Sequence, residues 1–168
     1  MQRLIHYSSK PLGKLWSITS QPTPESHFDK PSGLWVSAEG ENDWKEWCSS
    51  ESFHTELLDI PNEIHLKPDA NILWLRSGDQ LDEFTKMYGR ENPLAALSPG
   101  LFREPCIDWS RVAQDYQGIV ISPYQWSRRM ERFTSWYYGW DCASGCIWNV
   151  EAIDEVSVLE STLQSEEG

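Results

Sequence analysis

The chain has 168 residues, a formal net charge of −12 and a pI near 4.7. This acidic balance argues against broad electrostatic binding to nucleic acid or to an anionic membrane surface. Only 39% of the residues are hydrophobic, yet ten are tryptophan. Rings of that size can close a sizeable core, which argues against a disordered chain.

The length predicts one domain over residues 1–163, followed by a frayed tail over residues 164–168. No run approaches the roughly 18–20 apolar residues that span a bilayer, and the first ten residues are too polar for a secretory signal. We therefore expect a cytoplasmic protein with no membrane partner. The cysteines lack the spacing of a zinc site, which predicts buried free thiols: Cys48, Cys106, Cys142 and Cys146.

The first predicted strand covers residues 4–7 and leaves His6 and Ser8 at its C-terminal end. A polar stretch with three prolines over residues 19–32 then predicts a surface loop. That loop brings the chain back to a second strand.

The second predicted strand has an uncharged, β-prone core, Leu34–Val36, and ends at Ser37. An acidic corner then leads to a helix with three residues on one face: Trp44, Trp47 and Cys48. A turn, a strand and a helix in this order often form the wall of a ligand pocket. The plainer interpretation makes Trp35 and Trp47 simply part of the core.

The middle of the chain predicts two strands and a helix. Residues 62–68 alternate between apolar and polar side chains, as in a strand exposed on one face, and the apolar run 72–75 predicts a central strand. Ser77 and Gln80 match a capping box, which predicts a helix over residues 78–88. Its inward residues are expected to be Leu81, Phe84, Thr85 and Tyr88.

Asp108 is the predicted N-cap of a further helix over residues 109–116, and Gly118 is expected to stop it. Residues 119–122 predict a buried strand. The next segment carries three arginines within five positions, which form either a solvated helix face or a local anion site: Arg128, Arg129 and Arg132.

Two short strands are predicted near the C-terminus, over residues 146–148 and 156–159, the former after a tight Ser-Gly corner and Asp141. The complete pattern has six or seven short strands and three or four short helices without strict βαβ alternation. It predicts an α+β fold, with a split or mixed antiparallel sheet and short flanking helices.

Three strand ends resemble the ADP-ribosyltransferase fold, in the branch that includes diphtheria toxin and the poly(ADP-ribose) polymerases. His6-Tyr7-Ser8 is similar to the His-Gly-Ser/Thr that ends the first strand of that family. The stretch KPSGLWVS over residues 30–37 is similar to its Gly-aliphatic-Tyr-Phe strand, and SGCIWN over residues 144–149 is similar to its late Glu-Tyr-Ile-Val-Tyr-Asn strand.

The resemblance implies an NAD-binding cleft. In it, His6 would hydrogen-bond the adenosine ribose, Ser8 would help to fix the dinucleotide, and Trp35 would stack on the nicotinamide. The remaining cofactor-binding residues on these strands would be Tyr7, Ser37 and Ser144. Cleavage of NAD⁺ passes through an oxocarbenium-like transition state, which a nearby carboxylate stabilises.

The carboxylate itself departs from the family pattern, because Ser144 stands where the catalytic Glu belongs. Asp141, three residues earlier, is the favoured replacement, and Glu151 is the other candidate. The structural alternatives are a turn cap for Asp141, a helix-end charge for Glu151 and a strand-end histidine bonded to a backbone carbonyl for His6.

The resemblance thus implies NAD-dependent transfer of ADP-ribose to a macromolecular acceptor, either protein or nucleic acid, by a toxin- or effector-like enzyme. Its partners would be that acceptor and a cognate antitoxin or a host target. Two alternatives remain: a non-enzymatic acidic inhibitor that mimics nucleic acid, and a binding module that keeps the pocket without turnover.

Overall fold

A computed structural model describes residues 1–26, 28–52, 60–98, 100–101 and 103–160 of the chain. These residues form an α+β fold with a seven-stranded mixed sheet, a two-stranded sheet and four short helices. The predicted α+β class is therefore confirmed. The predicted tail over residues 164–168 lies outside the described residues.

The seven-stranded sheet has the order β4-β7-β8-β2-β1-β3-β9, and every neighbouring pair is antiparallel except the parallel pair β4 and β7. Its strands are β1 Leu4–Ser8, β2 Leu34–Ala38, β3 Ile60–Leu66, β4 Ile72–Leu75, β7 Gly118–Ile121, β8 Ser144–Ile147 and β9 Ile153–Val158. The small sheet pairs β5 Gly89–Arg90 with β6 Cys106–Ile107. The helices are α1 Trp44–Glu51, α2 Gly78–Tyr88, α3 Trp109–Asp115 and α4 Trp126–Arg129.

Helix α2 has the predicted bounds and the predicted cap. The Ser77 side chain accepts a hydrogen bond from the backbone N–H of Gln80, as an N-cap residue does. The buried residues of the helix are the four predicted ones, Leu81, Phe84, Thr85 and Tyr88. A cap and a 3.6-residue apolar period are local signals, so the sequence alone defines this helix.

Strand β4 lies at the edge of the sheet, so the predicted central position of residues 72–75 is wrong. Ile72, Leu73 and Trp74 are all partly buried and packed against the core. Because consecutive strand residues point to opposite faces, both faces of β4 are covered. The apolar run therefore reflects the covered faces of β4 and not a central place in the sheet.

Two glycines lie inside strands instead of ending elements. Helix α3 ends at Asp115, and Gly118 is the first residue of β7, so the predicted stop at Gly118 is wrong. Gly145 lies in the middle of β8, where the sequence predicted a corner. A Cβ atom at Gly145 would lie 2.4 Å from the carbonyl oxygen of Ile119 on β7, which explains the glycine there.

An aromatic cluster fills the core on the α2 and α3 side. Trp109, Trp136 and Trp140 are each 1% exposed and contact one another at ring centroid distances of 6.0–6.4 Å. The indole N–H of Trp136 donates to the Thr85 hydroxyl, at 2.8 Å. The residue Trp140 extends this cluster towards β2, where the candidate site lies.

None of the helices among the described residues has the length and apolar composition that a bilayer-spanning helix requires. All four cysteines are buried free thiols, as predicted.

Candidate functional site

The three strands that carry the sequence motifs are consecutive in the sheet, in the order β8-β2-β1. The prediction that the strands of His6 and Trp35 lie side by side, with residues 144–148 nearby, is confirmed. A cavity of about 360 Å³ opens where these strands meet. The strands contribute seven lining residues to it: Ile5, His6, Tyr7, Trp35, Val36, Ser37 and Ser144.

Backbone register places the floor of this cavity on one face of the sheet. Ile5 pairs with Ser37, and Ser37 pairs with Ser144, which forms one row across three strands. Trp35 lies two residues before Ser37 and therefore shares that face. By the same alternation Leu4, His6 and Val36 lie on the opposite face, where Leu4 and Val36 belong to the hydrophobic core. His6 and Val36 nevertheless line the cavity, because they lie where the pairing of β1 with β2 ends.

Strands β1 and β2 separate at the edge of the cavity. Their pairing includes only Leu4 and Ile5 of β1, whereas the pairing of β1 with β3 continues to Ser8. At this split, Nδ1 of His6 lies 2.6 Å from the carbonyl oxygen of Trp35. A carbonyl can only accept, so Nδ1 carries the proton and Nε2 of the neutral ring is an acceptor. The described residues give Nε2 no hydrogen-bond partner, which leaves it for a ligand.

Aromatic rings form one wall of the cavity. Trp35 packs edge-on against Trp140 at a centroid distance of 4.9 Å, and Trp44 of α1 lines the same space. The Lys30 ammonium lies 5.3 Å from the centre of the Trp35 ring. This wall can hold a planar, electron-poor ring on the part of Trp35 that Lys30 and Trp140 leave open, and the lysine over the ring can meet an anion.

A serine hydroxyl connects the sheet to helix α1. The Ser37 hydroxyl accepts a hydrogen bond from the backbone N–H of Trp44, at 2.9 Å. The Asp43 side chain caps the same helix by accepting from the Glu46 N–H, at 2.9 Å. These bonds fix the first turn of α1 over the floor of the cavity, so the position of Trp44 follows from Ser37.

Asp141 lies on the rim of the cavity, three residues before β8. Its side chain is 35% exposed, and Oδ1 lies 3.3 Å from Nη2 of Arg129. The described residues give Oδ2 no hydrogen-bond partner. Asp141 is therefore a carboxylate held in orientation on one side and open on the other.

The structure does not bring Glu151 or Ser8 to the cavity lining. Glu151 is exposed in a short 3₁₀ turn, Val150–Ala152, which follows the C-terminal end of β8, whereas Asp141 precedes its N-terminal end. The Ser8 hydroxyl donates to the Lys10 carbonyl and accepts from the Asn62 amide. Among the predicted site residues, the cavity thus joins His6, Tyr7, Trp35, Ser37, Asp141 and Ser144.

Two titratable groups of the lining stay protonated at neutral pH. Burial, with smaller contributions from Asp43 and Glu39, raises the pKa of Tyr7 to about 12. Burial also raises the pKa of the Cys142 thiol to about 12. Tyr7 is therefore a hydrogen-bonding phenol, and Cys142 is not a thiolate nucleophile.

Several lining residues were not among the predicted site residues, although the sequence placed Trp44 on the helix of a predicted pocket wall: Lys30, Trp44, Trp140, Cys142, Ile5 and Val36. One sequence signal could have identified Lys30 as a site residue, because a lysine often precedes the second motif of the resembled family. Trp140 is adjacent to Asp141 in sequence. Ile5 and Val36 lie on the motif strands β1 and β2. Trp44 and Cys142 depend on how α1 and the segment before β8 pack on the sheet, which no local pattern specifies.

The arginine cluster pairs with carboxylates of this chain. Arg128 lies 2.9 Å from Asp82, and Arg132 lies 3.0 Å from Glu104. Together with the contact of Arg129 and Asp141, these pairs argue against a free anion site. They also argue against a solvated helix face, because the side chains of Arg128 and Arg129 are only 24% and 21% exposed and Arg132 lies beyond the end of α4. No group of three His, Cys, Asp or Glu suited to a metal ion occurs among the residues that the structure describes.

Comparisons with protein-family models, with curated proteins and with solved structures find no match to this chain. The residues of the cavity therefore carry the functional proposal.

Proposed function

We propose that the chain binds NAD⁺ in this cavity and transfers its ADP-ribose to a macromolecular acceptor. One observation carries the proposal. Residues from three separate strands, to which the family resemblance assigns NAD⁺ binding, line a single cavity together with Asp141, the acid favoured on the same resemblance. His6, Trp35 and Ser144 are far apart in sequence, so unrelated residues at these positions would not be expected to line the same cavity.

The cofactor would use the aromatic wall and the split between the strands. The cationic nicotinamide ring stacks on Trp35, where both π-contact and ring charge are favourable. Nε2 of His6 accepts a hydrogen bond from the adenosine ribose. Lys30, whose ammonium group lies over the Trp35 ring, offers that group to the pyrophosphate.

The reaction breaks the bond between the ribose anomeric carbon and the nicotinamide nitrogen. Nicotinamide departs as a neutral molecule with the electron pair of that bond, and positive charge develops on the ribose. The acceptor nucleophile then forms a bond to the anomeric carbon and releases one proton. Asp141 supplies the opposing negative charge, and its contact with Arg129 keeps the carboxylate in place.

With this activity, the protein would be an effector or toxin that acts in the cytoplasm. Four buried free thiols suit a reducing compartment. A host macromolecule would be the acceptor, and a cognate antitoxin would be a further partner.

The experiment that tests the function incubates the purified chain with NAD⁺ labelled in the adenylate part and with cell lysate. We expect label on macromolecules with the wild-type chain and little label with His6→Ala. The matched control is His65→Ala, because His65 lies on β3 outside the cavity. The proposal is wrong if the wild-type chain neither binds NAD⁺ nor transfers label.

A further inference from the structure

A second groove lies on the other side of Asp141. Its volume is about 350 Å³, and Asp141 lines both it and the NAD cavity. Helix α1 forms one wall with Glu46, Trp47 and Glu51, and α4 forms the other with Trp126 and Arg129. Because Asp141 is shared, a group in this groove lies next to the carboxylate proposed to face the anomeric carbon.

The groove has an excess of negative charge. Glu46, Glu51 and Asp141 are three carboxylates, and Arg129 is the one cation among the described lining residues. Arg129 is already engaged with Asp141 and with the Tyr124 hydroxyl. The charges that remain for a ligand are therefore those of Glu46 and Glu51. One oxygen of Glu46 accepts a hydrogen bond from the Asn42 N–H, whereas the described residues show no partner for Glu51.

An exposed indole stands at the mouth of the groove. Trp126 is 59% exposed, and the Arg129 guanidinium already lies 6.0 Å from its ring centre. A ring with one face towards solvent can receive a second cation by the same contact. The combination of indole faces and carboxylates is the chemistry that recognises guanidinium and ammonium groups.

The position of Glu51 in α1 is unfavourable for the stability of the helix. It is the last residue of α1, and the last turn of that helix carries no basic residue. Carbonyl groups at a helix C-terminus carry partial negative charge, so a carboxylate there is unfavourable for the isolated chain. A bound cation would remove that conflict.

We infer that this groove receives the acceptor, and that the acceptor is a cationic segment of a protein, held by an Arg or Lys side chain. This inference rests on the proposed function for the role of the groove in transfer. Nucleic acid is the less suitable acceptor, because its phosphates would face Glu46 and Glu51 across the groove.

The test measures binding without any turnover. Fluorescence anisotropy compares a short labelled peptide rich in Arg and Lys, the same peptide with those residues replaced by Gln, and a single-stranded DNA. The proteins are the wild-type chain, Trp126→Ala and Glu51→Gln. Matched controls are Trp16→Ala, an indole that is 75% exposed and lines neither cavity, and Glu155→Gln, an exposed carboxylate on β9.

We expect the wild-type chain to bind the cationic peptide in preference to the other two probes. Trp126→Ala and Glu51→Gln should each weaken that binding roughly threefold to tenfold, while the controls leave it unchanged. Preference for DNA, equal binding of the Gln peptide, or unchanged affinity in both groove variants would overturn the inference. Absence of NAD⁺ cleavage with normal peptide binding would overturn the proposed function and leave recognition of the cationic segment supported.

Discussion

Nδ1 of His6 donates a hydrogen bond to the carbonyl oxygen of Trp35 across the split between β1 and β2, at 2.6 Å. The bond joins the two residues that the sequence resemblance assigns to opposite ends of the dinucleotide. It fixes the imidazole ring and leaves Nε2 as the acceptor nitrogen of the neutral tautomer. The histidine thus has the backbone-carbonyl contact of a structural strand-end residue and still keeps one nitrogen for a ligand.

Removal of this imidazole should weaken NAD⁺ binding. We expect His6→Ala to raise the Kd for NAD⁺ about tenfold, because one hydrogen bond of roughly 1–1.5 kcal/mol is lost. Calorimetric titration measures that Kd. The control His65→Ala should bind like the wild type, and a His6→Ala variant with wild-type affinity would remove His6 from the site.

Alkaline pH should destabilise the fold through its buried acids. The Cys142 pKa rises from 9.0 to about 12 on folding, so above pH 9 the unfolded state loses protons that the folded state keeps. The contribution of the Cys142 thiol to the free energy of unfolding is therefore complete below about pH 9. It is lost as the pH rises towards about 12, by up to about 1.4 kcal/mol per pH unit. The raised pKa of Tyr7 acts in the same direction.

Urea unfolding between about pH 8 and about pH 11 measures this decline. Cys142→Ala removes one of the responsible groups and should make the decline less steep. The assignment to Cys142 would be contradicted by an equally steep decline in that variant.

The charge at the end of α1 should lower stability. Glu51→Gln is expected to raise the free energy of unfolding by a few tenths to about 1 kcal/mol, because it removes a carboxylate from the helix C-terminus. Glu46→Gln should act in the opposite direction, since Glu46 lies in the first turn and accepts from the Asn42 N–H. Urea unfolding of both variants decides the point, and a loss of stability in Glu51→Gln would contradict it.

Local signals in the sequence determine much of the fold but not its packing. The cap at Ser77 and the apolar period of α2 predict that helix because both operate within one or two turns. The Ser-Gly pair at residues 144–145 indicates a corner by the same local rules, yet Gly145 is a strand residue. A glycine is needed at position 145 because the backbone of β7, more than twenty residues away in sequence, passes too close for a side chain.

The residues of the candidate site also fall into those that local sequence signals predict and those that depend on tertiary packing. His6, Trp35 and Ser37 lie on strands that the sequence itself predicts, and the family resemblance of those strands implies their place in a site. Trp140 and Lys30 reach the cavity only through the packing of non-strand segments against β2. Asp141 and Glu151 flank the same predicted strand in sequence, and only the three-dimensional structure shows that the cavity lies at the end of β8 next to Asp141.

Asp141 is the residue on which the proposed chemistry depends. A preorganised carboxylate beside the developing positive charge contributes a rate factor of roughly 10²–10³. The Asp141 carboxylate stabilises the transition state more than it stabilises bound NAD⁺. The neutral variant Asp141→Asn should therefore still bind the cofactor. Asp82→Asn is the matched control, because it also removes a carboxylate paired with an arginine, Arg128, but outside the NAD cavity.

The rate of nicotinamide release from saturating NAD⁺ is the most direct measurement. We predict that Asp141→Asn lowers this rate by roughly 10²–10³ with little change in the Kd for NAD⁺, while Asp82→Asn and Glu151→Gln remain close to the wild type. An active Asp141→Asn together with an inactive Glu151→Gln would show that the catalytic acid lies beyond the opposite, C-terminal end of β8. Wild-type release by both variants would contradict the proposed chemistry.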